Sequence, residues 1–241
     1  MPAPPLPAPR PAVADSRLVV VPVVHAVTTP ELVADAGFPA RARAVMRALG
    51  ARGAVHLRAP GLTARQLLEV ALALGDAQRE TGCWLVVNDR VDVALAAGVR
   101  GVQLTTRSMS PADARRIAPG LALGASVHDA AAAARAAAEG ADWVVAGHVY
   151  ATASHPGEAP GGEALVRDVA ATARLPVIAI GGVRPEHVPA LRRAGAHGVA
   201  VIRGVWAASD ADRAATDYLA SYDADATGDG DDRPDGERRA P

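Results

Sequence analysis

The sequence predicts a single-domain α/β protein, a (β/α)8 TIM barrel, and three observations lead there. Short Val/Ile/Leu runs alternate eight times with longer Ala/Leu/Arg segments of helical period. The short runs are apolar on both faces, as strands of a parallel sheet covered by helices must be. A doubly wound sheet would carry a GxGxxG fingerprint after its first strand; here HAVTTPELV stands at that place.

The expected strands, in order, are VVVPVVHAV (19–27), GAVHLR (53–58), WLVVN (84–88) and GVQLT (101–105), then ALGASV (122–127), WVVAG (143–147), PVIAI (176–180) and GVAVIR (198–203). The segments between them carry helix start signals. Thr63 is placed to cap ARQLLEVALALGDAQRE, Ser110-Pro111 to open PADARRIA, and Arg184-Pro185 to open PEHVPALRRAG. Gly140 and Gly195 follow helices as stop signals. The barrel domain is expected over 18–222. The Pro-rich stretch 1–17 lacks the apolar core of a signal peptide and reads as a disordered leader. Residues 223–241 are charged, Gly/Pro-rich and aperiodic, a disordered tail.

Composition removes several kinds of function. The formal net charge is −1, so no polyanion-binding surface and no nucleic-acid partner are expected. No segment has the ~20 uninterrupted apolar residues of a membrane span, so no membrane partner is expected either. All 25 basic residues are arginine, which excludes a Schiff-base lysine and a P-loop lysine. The one cysteine, Cys83, sits in the apolar run CWLVV; it rules out an internal disulfide, fits a reducing cytoplasm, and reads as a core thiol rather than a nucleophile. No His/Cys/Asp spacing forms a zinc signature and no Ser or Cys stands in a nucleophile elbow.

In a barrel of this kind the loops after the strands meet at one face, where the chemistry sits. Gly181-Gly182 ends strand seven and Arg203-Gly204 ends strand eight. Loops at those two places commonly cradle a phosphate with backbone N–H groups, and Arg203 would add a charge-assisted contact. His128 follows strand five in LGASVHD, while the N-cap of the next helix falls to Asp129. A side chain titrating near neutrality at that rim is the expected acid/base residue. His148, just past strand six, is a second candidate. Alternation puts His56 and Arg58 on one face of strand two, and an inward arginine wants an anion. His25, His155, His187 and His197 fall at less suggestive places.

The stretches VHLR, VNDRVDVALAAGVRGVQL, LGASVHD, ADWVVAGHVYAT and LPVIAIGGVRPEHVPALRRAGAHGVAVIRGV together resemble the thiamin phosphate synthase/TenI superfamily, over about residues 20–208. The resemblance implies one of two activities. Synthases join a pyrimidine methyl pyrophosphate to thiazole phosphate with magnesium; TenI-type tautomerases aromatise thiazole phosphate carboxylate. Several synthase features are absent. Ala59-Pro60 follow Arg58 where a basic residue is typical, TTRSMSP replaces the acidic loop after strand four, and GHVYATASHPG replaces a Gly-Pro…Thr-x-Thr-Lys element. Of the metal pair Asp89 alone survives.

The resemblance therefore implies a thiazole tautomerase, an isomerase of thiamin biosynthesis acting on a small phosphorylated thiazole without metal or redox cofactor. His128 would carry the proton transfer and His148 assist it. Arg58 would meet the carboxylate, while Gly181, Gly182, Arg203 and Gly204 hold the phosphate. The loop ATASHPGEAPGG (151–162) is long enough for a lid. An altered synthase and a non-catalytic binding or regulatory protein stay open as alternatives, as does homo-oligomerisation.

Overall fold

Eight parallel strands hydrogen-bond in chain order and the last returns to the first, closing a barrel. The structure is a computed structural model that describes residues 19–152, 154 and 156–226. The strands are β1 (Val24–Val27), β2 (Gly53–Leu57), β3 (Trp84–Asn88), β4 (Gly101–Leu104), β5 (Ala122–Val127), β6 (Trp143–Gly147), β7 (Val177–Ile180) and β8 (Gly198–Val201). Helices α1 (Pro30–Ala34) and α2 (Phe38–Leu49) link the first two strands. One helix fills each later crossover: α3 (Ala64–Thr81), α4 (Val91–Ala97), α5 (Pro111–Ile117), α6 (Ala130–Ala138), α7 (Gly162–Ala173) and α8 (Val188–Arg193). After β8 come α9 (Arg203–Trp206) and α10 (Ala211–Ala226), whose end passes the boundary expected at 222. The expected leader, the tail from residue 227 and His155 lie outside the described residues.

Local chemistry sets the helix starts as the sequence indicates. Thr63 and Gln66 form a reciprocal capping box ahead of α3, and the Ser110 hydroxyl accepts from Asp113 N–H at the start of α5. Asp129 caps α6 by accepting from Ala132 N–H, which leaves its neighbour His128 free of that duty.

Three boundaries differ from expectation. Pro22 has no N–H to give a ladder, so the first strand begins at Val24 rather than 19. Val19 and Val21 instead pack against the residues of the barrel bore. Strand eight stops at Val201, and Arg203 opens α9 instead of ending a strand. The helix expected from Pro185 divides into a 3-10 turn, Pro185–His187, and α8, with Pro189 in the first turn of α8.

Side chains alternate between two cores. Val55, Leu57, Leu85, Val87 and Val102 face the helices, and Trp84, Val86, Trp143, Val145 and Ile178 fill the bore. Trp143 fits because β5 carries glycine beside it: a Cβ on Gly124 would lie 2.2 Å from the indole. His25, His56 and Gln103 are also buried. No helix of the described residues is long and apolar enough to cross a membrane.

Candidate active site

Above the bore, at the C-terminal ends of the strands, lies a cavity of about 730 Å³, a size suited to a small-molecule ligand. All seven expected site residues, Arg58, His128, His148, Gly181, Gly182, Arg203 and Gly204, line it. Their juxtaposition follows from the barrel, since each sits at or just past a strand end.

His128 is held at one ring nitrogen. Its Nδ1 lies 2.7 Å from the Gly147 carbonyl oxygen at the end of the neighbouring strand. A carbonyl only accepts, so Nδ1 carries the proton and the neutral ring keeps Nε2 as a bare acceptor. No described group bonds that Nε2. His148 is placed differently: its Nε2 lies 3.4 Å from Glu158 O, across the 151–162 loop. Gly161 N–H donates to His148 O and Gly162 N–H to Val149 O, which ties the two ends of this loop together.

The glycine pair after β7 makes a turn that no L side chain adopts easily, with φ of 106° at Gly181 and 65° at Gly182. A Cβ on Gly182 would also lie 2.5 Å from Ala151 O. The glycines thus let the β7 loop lie against the β6 loop. The N–H groups of Gly182, Val183 and Gly204 meet no acceptor among the described residues and border the cavity. Arg203 and Arg184 stand beside them. Arg184 is an addition to the expected set, and its one signal in the sequence is that it follows the glycine pair by two residues. Across the mouth, Thr28 clamps the end of β2, its hydroxyl accepting from Arg58 N–H and donating to Arg58 O. The Arg58 guanidinium makes no direct ion pair among the described residues, though its charge is felt by the Glu31 carboxylate.

Beneath these groups the floor is polar. His25 Nε2 lies 2.9 Å from Pro22 O, and His25 Nδ1 lies 2.8 Å from His56 Nε2. The Pro22 carbonyl must accept, so a neutral His25 accepts at Nδ1 and His56 donates from Nε2. Both rings are fully buried. Burial holds the His25 pKa down at about 4, and burial together with His25 holds His56 well below the ordinary histidine value. The pair is therefore neutral and fixed in one tautomer, although position in the chain gives His25 little weight. Cys83 is a buried core thiol, pushed up to about 12 by burial, and no nucleophile.

A family model described as thiamine monophosphate synthase, TMP-TENI, matches residues 24–205. The chain belongs to that family. It is 42% identical over 172 residues to the thiamine-phosphate synthase of Methanoculleus marisnigri, covering 70% of this chain and 82% of that protein. It is 39% identical over 176 residues to the thiamine-phosphate synthase of Chloroflexus aurantiacus, covering 72% and 82%. Among solved structures, thiamine phosphate pyrophosphorylase from Pyrococcus furiosus superposes with a TM-score of 0.73 at 30% identity, covering 84% of this chain and 96% of that one. The TMP-TENI family acts in thiamine biosynthesis on small phosphorylated molecules. The names of these relatives favour the synthase alternative over the tautomerase.

The magnesium that synthase chemistry in this family implies does not fit the residues present. No Asp or Glu is among the described residues lining the cavity. Asp89 Oδ1 already accepts from Thr105 N–H, from the Thr105 hydroxyl and from the Ser108 hydroxyl, tying down the loop after β4. No group of three or more His, Cys, Asp or Glu able to hold a metal occurs among the described residues. A hard divalent cation needs several oxygen ligands, which these side chains do not assemble.

Proposed function

We propose that this family member is a thiazole tautomerase, an isomerase that aromatises thiazole phosphate carboxylate. The observation that carries the reading is the fixed tautomer of His128, whose Nε2 has no partner among the described residues and borders a cavity lined by arginines and by no described carboxylate. Nε2 takes the proton from the ring carbon that bears the carboxylate. The electron pair of that C–H bond moves through the ring, and Nε2 delivers a proton to the exocyclic carbon, so no net proton is gained or lost. The Gly147 carbonyl stabilises the transient imidazolium through Nδ1–H. Gly181, Gly182, Arg203 and Gly204 hold the phosphate, Arg58 faces the carboxylate, and His148 supports the mouth through its loop. Aromatisation supplies the driving force, and the protein lowers the barrier.

The second reading is thiamine-phosphate synthase, favoured by the names of the relatives. It needs the charge of departing pyrophosphate to be neutralised by the arginines of the mouth alone or by a cation bound with the substrate. NMR in D2O separates the two readings. A tautomerase converts the non-aromatic isomer to the aromatic thiazole and brings hydrogen or deuterium to the exocyclic carbon. Formation of a pyrimidine–thiazole bond, with no effect on the isomer, would establish the synthase instead.

A further inference from the structure

A second hydrogen-bond chain reaches the cavity floor from the bore, and its direction is set by a group that can only donate. Trp143 Nε1 donates to Gln103 Oε1 at 3.0 Å, and Gln103 Nε2 donates to Ser126 Oγ at 3.1 Å. An indole N–H never accepts, so the Gln103 amide has one orientation: oxygen to Trp143, nitrogen to Ser126. Trp143 and Gln103 are both buried, at 0% and 3% exposure, so water does not compete for these bonds. Ser126 Oγ is thereby an acceptor from below. Its own proton has no acceptor among the described residues, and Ser126 lines the cavity. Ser126 stands near the end of β5 and His128 one residue past it, and both line the cavity.

We propose that Gln103, locked by the Trp143 indole, is a positioning residue that fixes the Ser126 hydroxyl as a hydrogen-bond donor, and that this donor holds the ligand's carboxylate beside His128. The inference rests on the tautomerase reading for the identity of the ligand. The phosphate cradle lies at the loops after β7 and β8, so Ser126, on β5, meets the other end of the molecule. The carbon that His128 must reach bears the carboxylate, which brings a carboxylate oxygen within range of the residue two places earlier.

The test is a double-mutant cycle read as a preference: the affinity for aromatic thiazole phosphate carboxylate relative to thiazole phosphate lacking the carboxylate, by calorimetry. Ser126→Ala should cut that preference by roughly 10- to 100-fold, the scale of a lost hydrogen bond to a charged group. Gln103→Met should cut it in the same direction and add nothing in the Ser126→Ala background, while affinity for the carboxylate-free ligand is unchanged in every variant. Should Gln103→Met fail to fold because it orphans the indole, Gln103→Met combined with Trp143→Phe removes both partners and takes its place. A Gln103 variant that keeps the wild-type preference, or whose effect adds to that of Ser126→Ala, overturns the proposal. Wild-type protein that binds neither thiazole rejects the functional reading instead. The chain is then decided without ligand: Ser126→Ala must shift the Gln103 carboxamide NMR signals, and unmoved signals overturn it.

Discussion

The ring of His128 is tied to the backbone of the next strand, Nδ1 to the Gly147 carbonyl oxygen at 2.7 Å. That bond fixes which nitrogen can act. On the proposed tautomerase reading, His128→Asn keeps a polar side chain but removes the acid/base group, so the variant should fold, bind phosphate ester and lose on the order of 10²–10⁴ in turnover. His148→Asn should lose far less, because its ring nitrogen is directed to the 151–162 loop. Steady-state rates of the two variants decide between the histidines; a larger loss at His148 moves the proton transfer one strand along.

The anion site is tested at Arg203 rather than at its glycines. Gly182→Asp would place a Cβ 2.5 Å from Ala151 O on a backbone with φ +65°, so it disturbs the loop as well as the charge. Arg203→Ala removes an exposed cation that has no salt-bridge partner among the described residues. It should weaken thiazole phosphate binding about tenfold with the melting temperature unchanged. Unaltered affinity by calorimetry would place the phosphate elsewhere.

The buried histidine pair gives the fold a pH signature. The His25 pKa falls from 6.5 to about 4 on folding, so below pH 6.5 the unfolded chain takes up a proton that the folded one refuses. Stability is thus lost as pH falls from about 6.5 towards 4, by about 3 kcal/mol from His25, with no contribution above that window. Denaturant unfolding at pH 7 and pH 4.5 should show this slope in wild type and a shallower one in His25→Gln. Equal slopes would mean that the pair is not held neutral.

Much of this is legible in the sequence, for definite reasons. Strands buried on both faces announce a parallel barrel, and a barrel sends His128, His148, Arg58 and the two glycine loops to one mouth whatever their separation along the chain. Pro22 marks the late start of β1, but the run of valines around it hides the signal. The same alternation that pairs His56 with Arg58 puts Gln103 and Ser126 on inward faces, yet which of them touch depends on the stagger between strands. The His25–His56 and Trp143–Gln103 bonds join residues 31 and 40 apart, and no local pattern reports such contacts.

Asp89 is a loop anchor in this structure, its Oδ1 accepting from Thr105 and Ser108. Asp89→Asn retains an acceptor oxygen and should cost stability, seen as a lowered melting temperature, with turnover nearly intact. Added magnesium should leave the rate of either protein unchanged. A rate that rises with magnesium in wild type and not in Asp89→Asn would restore Asp89 as a metal ligand.

The most direct measurement follows the absorbance of the aromatic thiazole as wild-type protein meets the non-aromatic carboxylate isomer in the presence of EDTA. With His128 as the proton carrier and no metal in the reaction, the isomer is aromatised many times per protein molecule, EDTA has no effect, and His128→Asn abolishes most of the rate. No acceleration over buffer, together with magnesium-dependent release of pyrophosphate from pyrimidine pyrophosphate and thiazole phosphate, would contradict the tautomerase reading and make the protein a synthase.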